Sequence, residues 1–258
     1  MWNRPPRKSP DEESGVVEPL YPAMVESPEL RWGLIRKIYS IVTVQILLTV
    51  AVASVVVFVP PVTTFFVTTT PGLVLYIFLI IFPFIVLCPL YYYYQKHPVN
   101  LLLLGLFTVA ISFAVGLTLC FYQCLNGVNS GLNWLRLFRK VILEAAILTA
   151  VVVVSLTIYT FWAAKRGHDF NFLGPFLFAG IMALIVFGFI QLFFPLGKIT
   201  TMIYGGIAAL IFCGYIIYDT DNIIKRYSYD EYVWASVALY LDIINLFLNL
   251  LTIFRAAE

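Results

Sequence analysis

Seven apolar runs follow one another along this chain, and each approaches the twenty or so residues that a helix needs to cross a bilayer. Their approximate extents are Lys37–Val59, Gly72–Tyr92, Val99–Phe121, Val141–Trp162, Phe172–Phe194, Thr200–Asp219 and Tyr232–Phe254. A soluble core helix can imitate one such run, but not seven in sequence. A transmembrane β-barrel would instead show alternation over segments of about ten residues. The chain is therefore predicted to be an all-α polytopic membrane protein with seven transmembrane helices.

Composition points to the same class. The 258 residues are 61% hydrophobic and 12% charged, with a mean hydropathy of +0.92, whereas a soluble domain is about half apolar and about a quarter charged. A net charge of +2 and the absence of a basic stripe interleaved with aromatic residues argue against nucleic-acid binding. The lipid bilayer is the partner that composition predicts.

The distribution of Lys and Arg predicts the orientation in the membrane. With a cytosolic N-terminus, the cytosolic side carries eleven of these residues and the opposite side five, so the positive-inside rule favours this arrangement. A seventh full crossing then places the C-terminal tail outside. A re-entrant last run would leave both ends in the cytosol, and the sequence leaves this open.

Two segments stand apart from the seven runs. Residues 1–30 combine proline and charge with little periodic apolarity, which predicts a disordered cytosolic tail before a membrane domain over residues 31–258. Between the third and fourth runs, residues 122–139 form a longer and more basic link. Its amphipathic spacing allows a helix lying along the membrane surface, and a tolerated loop insertion is the favoured alternative.

Enzyme and receptor signatures are missing. The sequence contains no GxSxG, Walker loop or HExxH, and its two histidines, His97 and His168, lie in links. No lysine lies within a span, so a retinal Schiff base cannot form there. The DRY-like triplet and the NPxxY motif that are typical of G-protein-coupled receptors are also absent. We therefore predict a protein that is not an enzyme and has no cofactor.

The positive signal is a pair of acids in the last two runs. Asp219 ends the sixth run, and Asp242 lies about ten residues inside the seventh. An acid at membrane depth costs about 2.5 kcal/mol or more on insertion scales, so it is a functional candidate. A short link makes the two runs antiparallel neighbours, which places both acids on the cytosolic side of the midplane and makes contact between them plausible.

Such a pair has two chemical uses. Two carboxylates close together at low dielectric cannot easily both ionise, so one proton tends to be shared and can act as a pH-sensitive latch. The same oxygens can bind a passing Ca²⁺ transiently, since Ca²⁺ prefers several hard oxygen ligands. Asp219 and Asp242 are thus the predicted pH-sensing, ion-pathway and transient Ca²⁺ residues. The structural alternative is a protonated acid bonded to a neighbouring carbonyl.

Two further acids are possible accessory residues. Asp221 follows Asp219 closely and is expected to be solvated at the cytosolic end of the sixth run. Glu144 lies one turn into the fourth run, near the headgroup level. A carboxylate favoured there by the helix dipole is as good an explanation of Glu144 as a functional role.

Longer blocks of the C-terminal half carry a family resemblance. These are FNFLGPFLFA (170–179), FPLG (194–197), IYGG (203–206) and GYIIYDTDNIIKRYSYDEYVWASVALYLDIINLFLNLLTIFR (214–255), with KVILEAAILT (140–149) and YTFWAAKRGHDF (159–170) before them. From about residue 30 to its C-terminus the chain resembles the transmembrane Bax inhibitor motif family. Plant-type members of the lifeguard branch are the most similar.

The resemblance implies a bundle in which the seventh helix is surrounded by the other six. It also implies calcium leak from intracellular stores such as the endoplasmic reticulum or Golgi, sensitivity to pH, and suppression of programmed cell death. The family's paired aspartates fall on Asp219 and Asp242. Two features depart from it: the second run has no Arg or Lys before Lys96 to serve as a basic gate latch, and about fifteen residues intervene at 122–139.

Two functional hypotheses follow. In the first, the protein is a Ca²⁺/H⁺-sensitive leak channel of an endomembrane that modulates cell death. In the second, it is a non-conducting scaffold that binds cell-death or stress regulators through its tail and loops, and the acids are purely structural. Conduction by the purified protein alone distinguishes them.

Overall fold

Seven long helices make up the protein in a computed structural model. It describes residues 18–22, 24–59, 61–62, 65–66, 69–127, 131–194 and 197–257, with side chains left out over 121–139 and at 192. The helices are α1 (Pro28–Phe58), α2 (Thr70–Tyr93), α3 (Val99–Gly127), α4 (Gly131–Lys165), α5 (Leu173–Phe193), α6 (Lys198–Lys225) and α7 (Tyr232–Ala257), and a 3₁₀ turn spans Tyr229–Glu231. All seven contain a stretch long and apolar enough to cross a membrane. The predicted all-α, seven-span fold is confirmed.

Most of the helices extend beyond the apolar runs that predict them. Helix α1 begins at Pro28, nine residues before the apolar run starts at Lys37. Pro28 at the first helical position and Glu29 in the first turn are typical of a helix start. Helix α6 likewise continues past Asp219 to Lys225. Hydropathy marks the part of a helix that lies in hydrocarbon, whereas polar residues continue the same backbone hydrogen bonding beyond it.

The end of the N-terminal tail lies against the bundle. Glu18 forms a 2.6 Å salt bridge with Lys165, and the ammonium lowers the pKa of the Glu18 carboxyl through its hydrogen bond and charge. Leu20 is only 7% exposed and belongs to the main hydrophobic core. Described residues before the predicted boundary at residue 31 therefore pack against the bundle. Residues 1–17, most of the predicted disordered tail, are outside the described residues.

The basic segment 122–139 continues two spans. Helix α3 runs on to Gly127, and α4 starts at Gly131. This differs both from a separate surface helix and from a loop insertion, because the described backbone on either side of 128–130 is helical.

The helices form two groups joined by α7. Helix α3 packs against α1 and α2 in one group, and α6 packs against α4 and α5 in the other. Helix α7 contacts α1, α3, α4 and α6. Its Val233, Leu239 and Tyr240 side chains are fully buried. This agrees with the central seventh helix that the family resemblance implies.

The most extensive of these contacts joins α6 to α7. A Cβ atom at Gly205 would lie 3.0 Å from Ile253 and 3.3 Å from the Asn249 carbonyl oxygen. Glycine at this position lets the two backbones approach, as small residues do in membrane helix pairs. The hairpin that carries both aspartates is thus closely packed at this glycine.

Hydroxyl and amide groups link α1, α3 and α7 within the span. The Thr49 hydroxyl lies 2.7 Å from the Tyr240 hydroxyl and accepts a 3.1 Å hydrogen bond from Ser112. One turn away, the Gln45 amide donates to Thr108 at 3.0 Å. All five residues are buried. Because hydrocarbon offers these groups no partner, the network favours one alignment of the three helices.

We expect Tyr240→Phe to lower the free energy of unfolding by about 0.5–2 kcal/mol, since it removes an interhelical hydrogen bond within the span. Tyr159→Phe, on the exposed surface of α4, is the matched control and should have little effect. Unfolding in mixed detergent micelles measures both. Equal losses would show that the Thr49–Tyr240 contact contributes nothing specific.

Candidate proton and ion site

Asp219 and Asp242 are brought together across the α6–α7 contact. Their carboxyl groups lie close enough to interact electrostatically, and Asp219 also interacts with the Asn222 side chain one turn later. The buried Asp242 Oδ2 makes no hydrogen bond with the described residues. Asp219 is 8% exposed and Asp242 6%. None of the salt bridges among the described residues involves either carboxyl. The two carboxyl groups therefore face each other and not a basic side chain.

A contact between two buried carboxyl groups depends on how many protons they hold. It is stable when one proton bridges two oxygens, and it is opposed by charge repulsion when both groups are ionised. Two phenols lie near the pair: Tyr215 and Tyr227 each interact electrostatically with both carboxyls. The arrangement can thus hold or release a proton between two helices.

Asp221 is not the solvated neighbour that the sequence suggests. Its side chain is 1% exposed and forms a 2.5 Å salt bridge with Lys225, which is itself only 13% exposed. The backbone N–H of Phe170 also approaches the Asp221 carboxylate, at 3.4 Å. The prediction fails because a lysine one turn later compensates the charge and allows the acid to be buried.

The α4–α5 link supplies further polar groups to this end of α6. Asp169 forms a 2.6 Å salt bridge with Arg226, and the Lys225 ammonium donates to the His168 carbonyl oxygen. Slight burial raises the pKa of Asp169. A hydrogen bond from the Asn171 backbone and the charges of Arg226 and Lys225 outweigh that effect and hold the pKa below its usual value. Sequence reasoning did not single out Asp169, although its RGHDF block lies in the family resemblance.

A buried arginine links α1 to the α6–α7 connection. Arg31 is 2% exposed, donates to the Tyr227 carbonyl oxygen at 2.6 Å, and forms a 2.5 Å salt bridge with Glu26. Burial, with the negative charges of Asp219, Glu231 and Asp242, raises the pKa of the Tyr227 phenol above its usual range. In the sequence, the one signal for this arginine is its place at the start of the first spanning helix. The distribution of Lys and Arg uses it to predict orientation in the membrane, and not a structural role.

Glu144 is not part of the site. It is exposed on α4 and lies 3.6 Å from Lys140 on the same helix. An i,i+4 ion pair on an exposed surface is worth a few tenths of a kcal/mol. Because α4 begins at Gly131, more than three turns before Glu144, the helix-start explanation of this residue is wrong, and the exposed pair with Lys140 accounts for it.

The aspartate pair offers part of a Ca²⁺ coordination shell. It presents carboxylate oxygens, the ligand type that Ca²⁺ prefers, whereas a full site uses six to eight oxygens. Within the described part of the chain, no group of three or more His, Cys, Asp or Glu residues could hold a metal. The donor set fits a passing ion better than a resident one.

Comparison of the sequence with known proteins identifies the family of the chain. Residues 31–258 match the family described as Inhibitor of apoptosis-promoting Bax1. The chain is 67% identical over 259 residues to Protein LIFEGUARD 4 of Arabidopsis thaliana, covering all of this chain and 99% of that protein.

More distant relatives also align over most of their length. Bax inhibitor 1 of Schizosaccharomyces pombe is 32% identical, over 96% of this chain and 88% of its own. The Golgi anti-apoptotic protein of vaccinia virus is 34% identical, over 90% of this chain and 89% of its own. With seven membrane-spanning helices and near full-length similarity to lifeguard proteins, the chain belongs to the Bax inhibitor family of multi-pass membrane proteins.

Proposed function

We propose that this protein is a Ca²⁺ and H⁺ leak pathway of an endomembrane, controlled by proton exchange at Asp219 and Asp242, and that it suppresses programmed cell death. One observation carries the proposal: two buried carboxyl groups lie in contact across two spanning helices without a basic partner. An intramembrane acid is costly. A pair of such acids in contact can serve a function if the shared proton can be released and rebound.

Proton exchange at the pair provides the gate. With one proton shared, the carboxyls draw the end of α6 to the middle of α7. When that proton leaves, two negative charges at low dielectric repel each other and favour separation of the helices. The ionised oxygens then present a binding step for a cation, which a leak pathway requires to be weak enough for release.

The groups around the pair keep the response specific to it. The titratable neighbours are phenols, and the Tyr227 pKa lies above its usual range because of burial and nearby negative charge. On α1, Arg31 is engaged by Glu26 and by a backbone carbonyl. At the end of α6, Lys225 is paired with Asp221. The pairing of these two cations supports the aspartate pair as a group that responds to pH.

Location and cellular output are proposed from relatives and from charge. One relative is named a Golgi anti-apoptotic protein and another Bax inhibitor 1, which supports an endomembrane site and suppression of cell death. The excess of Lys and Arg in the tail and in alternate links supports a cytosolic N-terminus.

Asp242→Asn should abolish the pH dependence of Ca²⁺ flux through the purified protein in proteoliposomes. The amide keeps the size and hydrogen bonding of the side chain but cannot exchange the shared proton. Glu144→Gln is the matched acid-to-amide control, because Glu144 is exposed and lies outside the pair. It should retain the wild-type pH profile.

The outcomes separate the two functional hypotheses. An Asp242→Asn protein with an unchanged pH profile contradicts gating by the pair. A wild-type protein that conducts no Ca²⁺ at any pH contradicts the leak pathway and favours a scaffold that binds cell-death or stress regulators.

The Asp221–Lys225 salt bridge anchors the end of α6 that carries Asp219. Asp221→Asn would leave the buried Lys225 ammonium without its carboxylate, at a cost of about 3 kcal/mol in unfolding free energy. The same change at Asp169, whose ion pair is largely exposed, should cost less than about 1 kcal/mol. Detergent unfolding of the two variants measures the difference. Equal values would show that Asp221 is solvated after all.

A further inference from the structure

A deep apolar crevice separates the two groups of helices. It encloses about 550 Å³, with α1 and α4 as its two walls, part of α3 beside α1, and α7 as its floor. Small side chains on both walls leave part of this space unfilled: Ala53 on α1, and Ala146 and Ala150 on α4. The crevice exists because α4 packs chiefly against α6 and α7 and barely touches α3.

The two buried hydroxyls of the crevice, at Thr49 and Thr149, are engaged by hydrogen bonds, and Ser54 adds a third hydroxyl to the lining. Thr49 donates to the Gln45 carbonyl oxygen at 2.8 Å and contacts Tyr240, and Thr149 donates to the Ala145 carbonyl oxygen at 2.7 Å. The remaining lining is almost wholly aliphatic and aromatic. An apolar space of this size gains nothing from water, so its occupant should be hydrocarbon.

The dimensions of the crevice match one lipid chain. Along α1 it extends from Ile46 to Phe58, about 18 Å at 1.5 Å per residue. One leaflet contributes about 15 Å to the hydrocarbon core. The rim opens to the bilayer, since Val50 and Leu143 on its two walls are each 59% exposed. An acyl chain can therefore enter sideways without leaving hydrocarbon.

We propose that this crevice binds one acyl chain of a membrane phospholipid, drawn from the leaflet in which α1 ends. The chain fills the space between the two helix groups and rests on Ile243, Ile244 and Phe247 of α7. Ile243 and Ile244 are each 8% exposed and directly follow Asp242 in the sequence. A lipid at this position touches the central helix next to the aspartate pair, and its binding does not depend on ion conduction.

Photolabelling tests the site directly because α7 is surrounded by other helices. The probe is a phosphatidylcholine with a diazirine near the middle of one chain, incorporated into phosphatidylcholine nanodiscs with the full-length protein. After irradiation, mass spectrometry should find label on the α7 peptide that contains Ile243, Ile244 and Phe247. Label must be assigned to single residues, because Leu246 and Leu250 of α7 line a separate apolar groove, whereas Ile243, Ile244 and Phe247 line the crevice. Exposed α5 residues are labelled by bulk lipid in any case.

Ala146→Phe places a ring between the walls and should eliminate the α7 label while leaving the α5 label in place. Ala179→Phe, at an exposed position on α5, is the matched control and should keep the α7 label. Retained α5 labelling in both variants reports an intact bundle. The proposal is overturned if wild-type α7 carries no label, or if Ala146→Phe leaves the α7 label unchanged. Absence of label together with cross-links between the α1 and α4 walls of two molecules would assign the crevice to a second copy.

Discussion

The rest of this structure depends on two carboxyl groups that lie close together inside a membrane bundle. The contact requires α6 and α7 to approach closely, and the same two helices also pack closely at Gly205, about 21 Å further along α6. It also requires that no cation neutralise the pair, and the nearby basic side chains are committed elsewhere. Arg31 is bound to Glu26 and the Tyr227 carbonyl, and Lys225 to Asp221. The pair is thereby left with one proton as its natural bridge.

Helix α7 connects this pair to the whole bundle. It is the element against which α1, α3, α4 and α6 all pack, so a change at Asp242 acts on both groups of helices. On α6 it meets the second aspartate, on α1 it meets the Thr49 hydroxyl network, and between α1 and α4 it forms the floor of the apolar crevice. Proton exchange at the pair and lipid in the crevice would thus act on one central helix.

The sequence predicts this architecture well where hydrophobicity alone decides it. Seven apolar runs are enough to predict seven spans, and two isolated acids in adjacent runs are enough to single out Asp219 and Asp242. The predictions fail where a buried charged side chain is paired with another polar group in the folded protein. Asp221 was expected to be solvated, although its i,i+4 relation to Lys225 is a pattern that can bury an acid. Arg31 was overlooked because its carbonyl partner at Tyr227 lies 196 residues away. The ends of α1, α3 and α4 were placed too near the apolar runs because a helix does not stop where hydrophobicity does.

The central claim is that proton exchange between Asp219 and Asp242 controls the packing of α6 against α7. A nitroxide pair at Ile199, at the start of α6, and Ala257, at the end of α7, reports this packing through electron spin distances in nanodiscs. Both positions are exposed. The account predicts a distance distribution that shifts with pH in the otherwise wild-type protein and stays fixed when Asp242 is replaced by Asn. A distribution that ignores pH in both proteins, or shifts equally in both, would contradict it.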